Sequence, residues 1–168
     1  MNAKENIVLI GMPGAGKSTV GVVLAKRLGY RFIDSDLVIQ EQYDKLLHEL
    51  ITEHGVEGFW QIENDVNAGL NVKRSVIATG GSAVYGQEAM EHLCEIATVV
   101  YLKLSYEEIA HRLGDLNARG VTLKDGQTLT DLYAERIPLY ERYAQITVAC
   151  DDKLLRDIVQ EIAERIKE

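Results

Sequence analysis

Cysteine, proline, long apolar runs and positive charge are all scarce in this sequence. Its 168 residues contain two cysteines, Cys94 and Cys150, far apart and in no Cys/His cluster. That excludes a disulfide scaffold and a Cys-based zinc site, and it suits a reducing, cytoplasmic compartment. The two prolines, Pro13 and Pro138, divide nothing, and no Ser/Gly/Pro-rich linker, repeat or low-complexity tract interrupts the chain. One domain spanning 1–168 is the expectation. No run approaches 18 apolar residues, so no membrane span is expected. The short apolar stretch after MNAKEN lacks the long apolar region of a targeting segment. Eighteen Lys and Arg against 26 Asp and Glu give a net charge of −8. An acidic chain is a poor electrostatic partner for nucleic acid or anionic lipid, because binding to phosphate backbones relies on Lys/Arg neutralisation. No obligate protein partner is evident either.

What the sequence does hold is a 46% hydrophobic fraction and an alternation of two periodicities. Apolar runs at Asn6–Ile10, Arg31–Ile33, Ser75–Ala78, Ala97–Leu104 and Ile146–Ala149 read as buried strands. Between them lie helical patterns: Lys17–Leu28 closed by Gly29, about 37–50, 58–70, 87–94, a helix opened by Ser105 with Glu108 at a capping-box position, 128–143, and about 152–167. Residues 114–127 carry three glycines and no apolar stripe and read as a surface loop. Strands separated by helices predict a parallel sheet covered on both faces, a three-layer α/β/α fold.

Between the first strand and first helix runs Gly11-Met-Pro-Gly14-Ala15-Gly16-Lys17-Ser18-Thr19. This is G-x-x-x-x-G-K-[ST] in the context that motif requires. Its glycines let successive backbone N–H groups turn inward beside a helix N-terminus, forming an anion cradle. Lys17 is a mobile point charge for β- and γ-phosphates, and the Ser18 hydroxyl suits Mg²⁺. A bound nucleotide, ATP with Mg²⁺, is the expectation. No N-K-x-D guanine reader and no L-S-G-G-Q stretch is present, which leaves a compact small-molecule kinase as the natural fit.

Further motifs narrow the class. IDSD supplies Asp34 and Asp36, ATGGSAV supplies Gly80 and Gly81, VVYLKLS leads to Arg112, and ERIPLYERYA contains Arg136. In this order, and over nearly the whole chain, they resemble the shikimate kinases, with their P-loop kinase fold. The resemblance implies ATP and Mg²⁺ at Lys17 and Ser18, and Asp34 near the metal or its waters. It implies Asp36 on the acceptor hydroxyls, Gly80 and Gly81 as close backbone neighbours of the acceptor, and Arg136 on its carboxylate. Arg119 would be the lid arginine of a segment at about 114–127, and Arg112 would lie against adenine. The acceptor would bind between helices at about 34–70. Glu63, on a helix facing the presumed pocket, could orient a neighbouring base.

Three departures bear on the acceptor. Where the family has F-R-x-x-E, this chain reads Phe59-Trp60-Gln61-Ile62-Glu63, so Trp60 occupies the place of a carboxylate-clamping arginine. Ser82 replaces a third glycine, and Arg119-Gly120-Val121 replaces R-P-L. An indole has one N–H donor and no charge, whereas a guanidinium forks onto a carboxylate. Losing such a partner costs on the order of 2–4 kcal/mol. The sequence therefore leaves three readings: phosphorylation of shikimate to shikimate 3-phosphate, phosphorylation of another small hydroxylated acceptor, or a non-catalytic nucleotide-binding regulatory domain. The four histidines show no ligand spacing and are expected at the surface.

Overall fold

The computed structural model describes residues 4–114 and 124–167. The expected lid arginine Arg119, with most of the 114–127 loop, lies outside the described residues. Five parallel strands form one sheet in the order β2-β3-β1-β4-β5. They are β1 (Asn6–Ile10), β2 (Arg31–Asp34), β3 (Ser75–Ala78), β4 (Ala97–Lys103) and β5 (Ile146–Ala149). β1 and β3 are buried along their whole length. That burial is why they read as unbroken apolar runs rather than alternating ones.

Helices cover both faces. α1 (Lys17–Leu28) lies on β3 and β1 and packs against α7 (Leu155–Arg165). α4 (Gln87–Ile96) and α6 (Leu129–Tyr143) both contact β4, and α5 (Tyr106–Leu113) packs on α6. α1 ends as the sequence indicates, at Gly29 in the left-handed conformation (φ 71°). Its apolar face is narrower than the spacing suggested: Val20 and Leu24 are buried, but Val23 is exposed.

The largest departure from the sequence reading lies between β2 and β3. Helical periodicity suggested helices over 37–50 and 58–70. Instead α2 spans Ser35–Tyr43 and α3 spans Leu47–Ala68. Asp34 caps α2 by accepting the Asp36 N–H at 2.9 Å, and Asp44 ends it in a left-handed conformation (φ 51°). Within α3, Gly55 (φ 75°) kinks the axis, so its two halves are not collinear. Ile39, Leu50, Phe59, Ile62 and Val66 from both helices make a small core of their own beside the main one. The Ser105 cap also differs in detail. Its hydroxyl accepts the Glu108 N–H, but its own N–H donates to Asp151, while the Glu108 carboxylate pairs with Arg112. The reciprocal capping box forms instead at Thr128 and Asp131.

Buried Asn6 ties the entrance of the sheet together. Its side-chain amide donates to the Val72 and Ile96 carbonyls at 2.8 and 3.1 Å and accepts the Ser75 N–H at 3.0 Å. It thereby sets where β3 and β4 begin alongside β1. Asn6→Ala removes the partner of one buried backbone N–H and of two part-buried carbonyls. It is expected to lower unfolding free energy in urea by about 2–4 kcal/mol, with little effect on ligand affinity at the opposite edge of the sheet.

Candidate functional site

In a parallel sheet, ligands bind at the carboxyl ends of the strands, where the chain leaves neighbouring strands in opposite directions. Here that point lies between β1, which connects toward β2, and β3, which connects toward β4. A cavity of about 310 Å³ occupies it. The phosphate loop (Pro13, Gly14 and Gly16–Thr19) forms one wall, and Thr79–Ser82 with Arg136 and Asp36, Glu63, Phe59 and Leu47 complete the lining.

The loop has the geometry its glycines permit. Gly14 (φ 81°) and Gly16 (φ 92°) sit in left-handed conformations, with Gly16 as the N-cap of α1. Ala15 is buried, and its N–H donates to the Met12 carbonyl. The ammonium of Lys17 is buried and donates to the carbonyls of Gly11 at 2.5 Å and Met12 at 2.9 Å. Burial pushes its pKa down to about 8, against the opposing pull of Asp36. Exposed Ser18 donates its hydroxyl to Asp34 Oδ2 at 3.3 Å. One hydroxyl and one carboxylate side by side are hard oxygen donors of the type Mg²⁺ takes, with room for the waters and phosphate oxygens it retains. Among the described residues no three His, Cys, Asp or Glu side chains cluster as a fuller metal site. The residues present therefore fit a cation held partly by its own ligand.

Across the cavity, two carboxylates converge on the Gly80 backbone. A Cβ added there would lie 2.8 Å from Glu63 Oε2 and 2.9 Å from Asp36 Oδ1, and one at Gly81 would lie 2.9 Å from an Arg136 guanidinium nitrogen and 2.7 Å from Pro13. The glycine pair is thus required by the site's own side chains, before any ligand enters. Burial pushes Asp36 up to about 6, with Asp34 adding to the rise. Burial pushes Glu63 up to about 7, although the Ser82 hydroxyl donates to its Oε1 at 2.6 Å. Glu63 Oε2 has no hydrogen-bond partner among the described residues. Arg136 is 1% exposed, a depth that few arginines reach without partners. Its Nε donates to the Tyr85 hydroxyl at 3.3 Å. Tyr140, fully buried, donates to the Gly81 carbonyl at 2.7 Å.

Two residues singled out from sequence stand apart from this lining. Arg112 donates to the Gly14 carbonyl at 3.1 Å and pairs with Glu108 at 2.8 Å, bracing the loop from outside. Trp60 lies against a second cavity of about 320 Å³, where it stacks on Tyr85 with ring centroids 4.1 Å apart. Ser82, Tyr85 and Tyr140 were not marked as site residues by any spacing. His48, His54 and His111 are exposed as expected, but His92 is half-buried and hydrogen-bonded to the Leu70 carbonyl at 2.5 Å.

Comparison with known proteins gives a consistent picture. A model of the shikimate kinase family matches residues 13–167. A shikimate kinase of Vibrio vulnificus is 35% identical, covering 100% of this chain and 99% of its own. One from Thermobifida fusca is 34% identical over 99% and 97%. The solved structure of the Acinetobacter baumannii shikimate kinase in complex with shikimate superposes with a TM-score of 0.88 at 34% identity, covering 96% of this chain and 92% of that one.

The two carboxylates make the site sensitive to pH. A carboxyl whose folded pKa lies above its unfolded value binds its proton more tightly when folded, so stability falls as pH rises between the two values. For Glu63 that window runs from 4.5 to about 7. Glu63→Gln keeps the Ser82 contact and removes the charge. It is expected to stabilise the ligand-free protein against urea at pH 8 but not at pH 4.5. A stability difference independent of pH would show that Glu63 ionises as freely folded as unfolded.

Proposed function

The chain belongs to the shikimate kinase family, and from that premise we propose that it transfers the γ-phosphoryl group of ATP to a hydroxyl of shikimate, giving shikimate 3-phosphate. The observation that carries this reading is that one cavity is lined both by the phosphate loop with Lys17 and by Asp36, Gly80, Gly81 and Arg136. Nucleotide phosphates and a hydroxylated carboxylic acid therefore have facing walls.

Phosphoryl transfer needs in-line positioning and stabilisation of spread negative charge more than covalent help. Gly11, Gly14, Ala15, Gly16 and Thr19 shape the backbone cradle for the phosphates, and Lys17 supplies positive charge there. Arg112 braces Gly14 close to where adenine would lie. Ser18 and Asp34 would hold Mg²⁺, which would supply neutralisation of phosphate charge. Asp36 accepts a hydrogen bond from the attacking hydroxyl, and its pKa of about 6 leaves it able to receive that proton near neutrality. As the acceptor oxygen bonds to the γ-phosphorus, the bond to the β,γ-bridging oxygen breaks and ADP leaves. Arg136 pairs with the acceptor carboxylate while Gly80 and Gly81 leave room for it. The arginine at 119 belongs to the proposal on the strength of the family motif. Residues 1–168 act as one kinase domain in the cytoplasm. Among the described residues no helix is long and apolar enough to cross a membrane.

Trp60 in place of an arginine favours one competitor, a different hydroxy acid as acceptor. Steady-state ADP release with Mg·ATP, first with shikimate and then with other hydroxy acids and polyols, separates the two. Shikimate-dependent turnover is expected, and Lys17→Ala should lower kcat by at least about 100-fold while the protein stays folded. ADP release stimulated by another acceptor and not by shikimate would overturn the assignment. Near-normal turnover by Lys17→Ala would remove the role given to Lys17.

A further inference from the structure

Trp60 is the single tryptophan of the chain and does not line the cavity that holds Lys17 and Arg136. It is nevertheless linked to that cavity through two contacts. Its ring stacks on Tyr85 with an interplanar angle of 16°. Tyr85 in turn carries Arg136: the guanidinium lies over its ring at 5.3 Å, and Arg136 Nε donates to its hydroxyl. On the outer side the Lys124 ammonium lies 5.3 Å from the centre of the Trp60 ring.

A second route reaches the same tyrosine. The Tyr85 hydroxyl donates to Glu135 Oε1 at 3.0 Å, and Glu135 Oε2 accepts from the Gln127 side chain at 2.6 Å. Gln127 closes a turn on Lys124, donating its N–H to the Lys124 carbonyl and accepting the Lys124 N–H. Tyr85 is thus fixed by a stacked ring on one hand and by an exposed hydrogen-bond chain on the other. Glu135 and Gln127 compete with water for those hydrogen bonds, whereas the stack of Trp60 on Tyr85 does not. A cation over an aromatic ring is held only while the ring keeps its orientation.

We propose that Trp60 is a positioning residue for the acceptor: acting through Tyr85, it holds the Arg136 guanidinium where the acceptor carboxylate meets it. The proposal rests on the reading of Arg136 as the carboxylate partner. A guanidinium recognises a carboxylate well only when its fork is fixed in direction. In this chain aromatic stacking at position 60 contributes to that fixing through Tyr85. Residue 60 therefore governs acceptor affinity without touching the acceptor, and any planar ring that stacks on Tyr85 can do the same.

The test combines kinetics with crystal structures of Trp60→Ala and Trp60→Phe. Trp60→Ala is expected to raise the KM for shikimate about tenfold while the KM for Mg·ATP stays within about twofold. Trp60→Phe should remain within about threefold of wild type for both. In the crystals, Arg136 Nε should keep its bond to the Tyr85 hydroxyl in Trp60→Phe and lose it in Trp60→Ala. If Trp60→Ala does not give a cooperative melt, Trp60→Leu, which fills the space without a planar ring, replaces it with the same expectations. An unchanged shikimate KM, an Arg136 that stays in place in Trp60→Ala, or equal losses for both substrates not rescued by phenylalanine would overturn the proposal. Absence of shikimate turnover in wild type would instead defeat the functional reading, and the position of Arg136 in the two crystals then decides the role of Trp60.

Discussion

Charge held away from water at the carboxyl edge of the sheet is the constraint on which this structure turns. Lys17, Asp36, Glu63 and Arg136 line one cavity, and each would be costly to bury alone. Their arrangement explains features that look unrelated. Gly80 and Gly81 lack side chains because Asp36, Glu63 and Arg136 already occupy that space. Asp34 both caps α2 and meets Ser18, so the first turn of the helix carrying Asp36 is held to the phosphate loop. Lys17 donates to the Gly11 and Met12 carbonyls of the loop. Among the described residues one Glu63 oxygen has no hydrogen-bond partner, and burial shifts the pKa values of the lysine and the carboxylates so as to favour their neutral forms.

The sheet and the phosphate loop were legible because their signals are local. Buried strands read as continuous apolar runs, and a glycine-rich turn followed by Lys-Ser has few other uses. The paired aspartates were legible as a pair, though only the structure shows that Asp34 is at once a helix cap and a neighbour of Ser18. What the sequence hid depends on contacts between distant segments. Glu63 was legible as facing the pocket, but not as 1% exposed and bonded to the Ser82 hydroxyl across 19 positions. Tyr140 reaches the Gly81 carbonyl across 59 positions, and Arg136 reaches Tyr85 across 51. The break at Asp44 and the kink at Gly55 depend on left-handed backbone that periodicity does not report.

Trp60 illustrates the limit of reading by substitution. Compared with its relatives' motif it looks like a missing charge in an acceptor clamp. In the structure it belongs to a different layer, under Tyr85 and beside Lys124, and its contact with the site is indirect. A substitution that changes a residue's chemistry this completely also changes which neighbours it can serve.

The claim that the cavity is a set of desolvated charges awaiting an anion is tested most directly by the protons exchanged on nucleotide binding. With a pKa of about 8, Lys17 is roughly half protonated at pH 8 in the empty protein, and an adjacent polyphosphate raises that pKa. Calorimetric titration of the protein with a non-hydrolysable ATP analogue and Mg²⁺ at pH 8, in two buffers of different ionisation enthalpy, measures the proton count. The account predicts net uptake of about half a proton per site. Binding with no uptake, or with proton release, would contradict it.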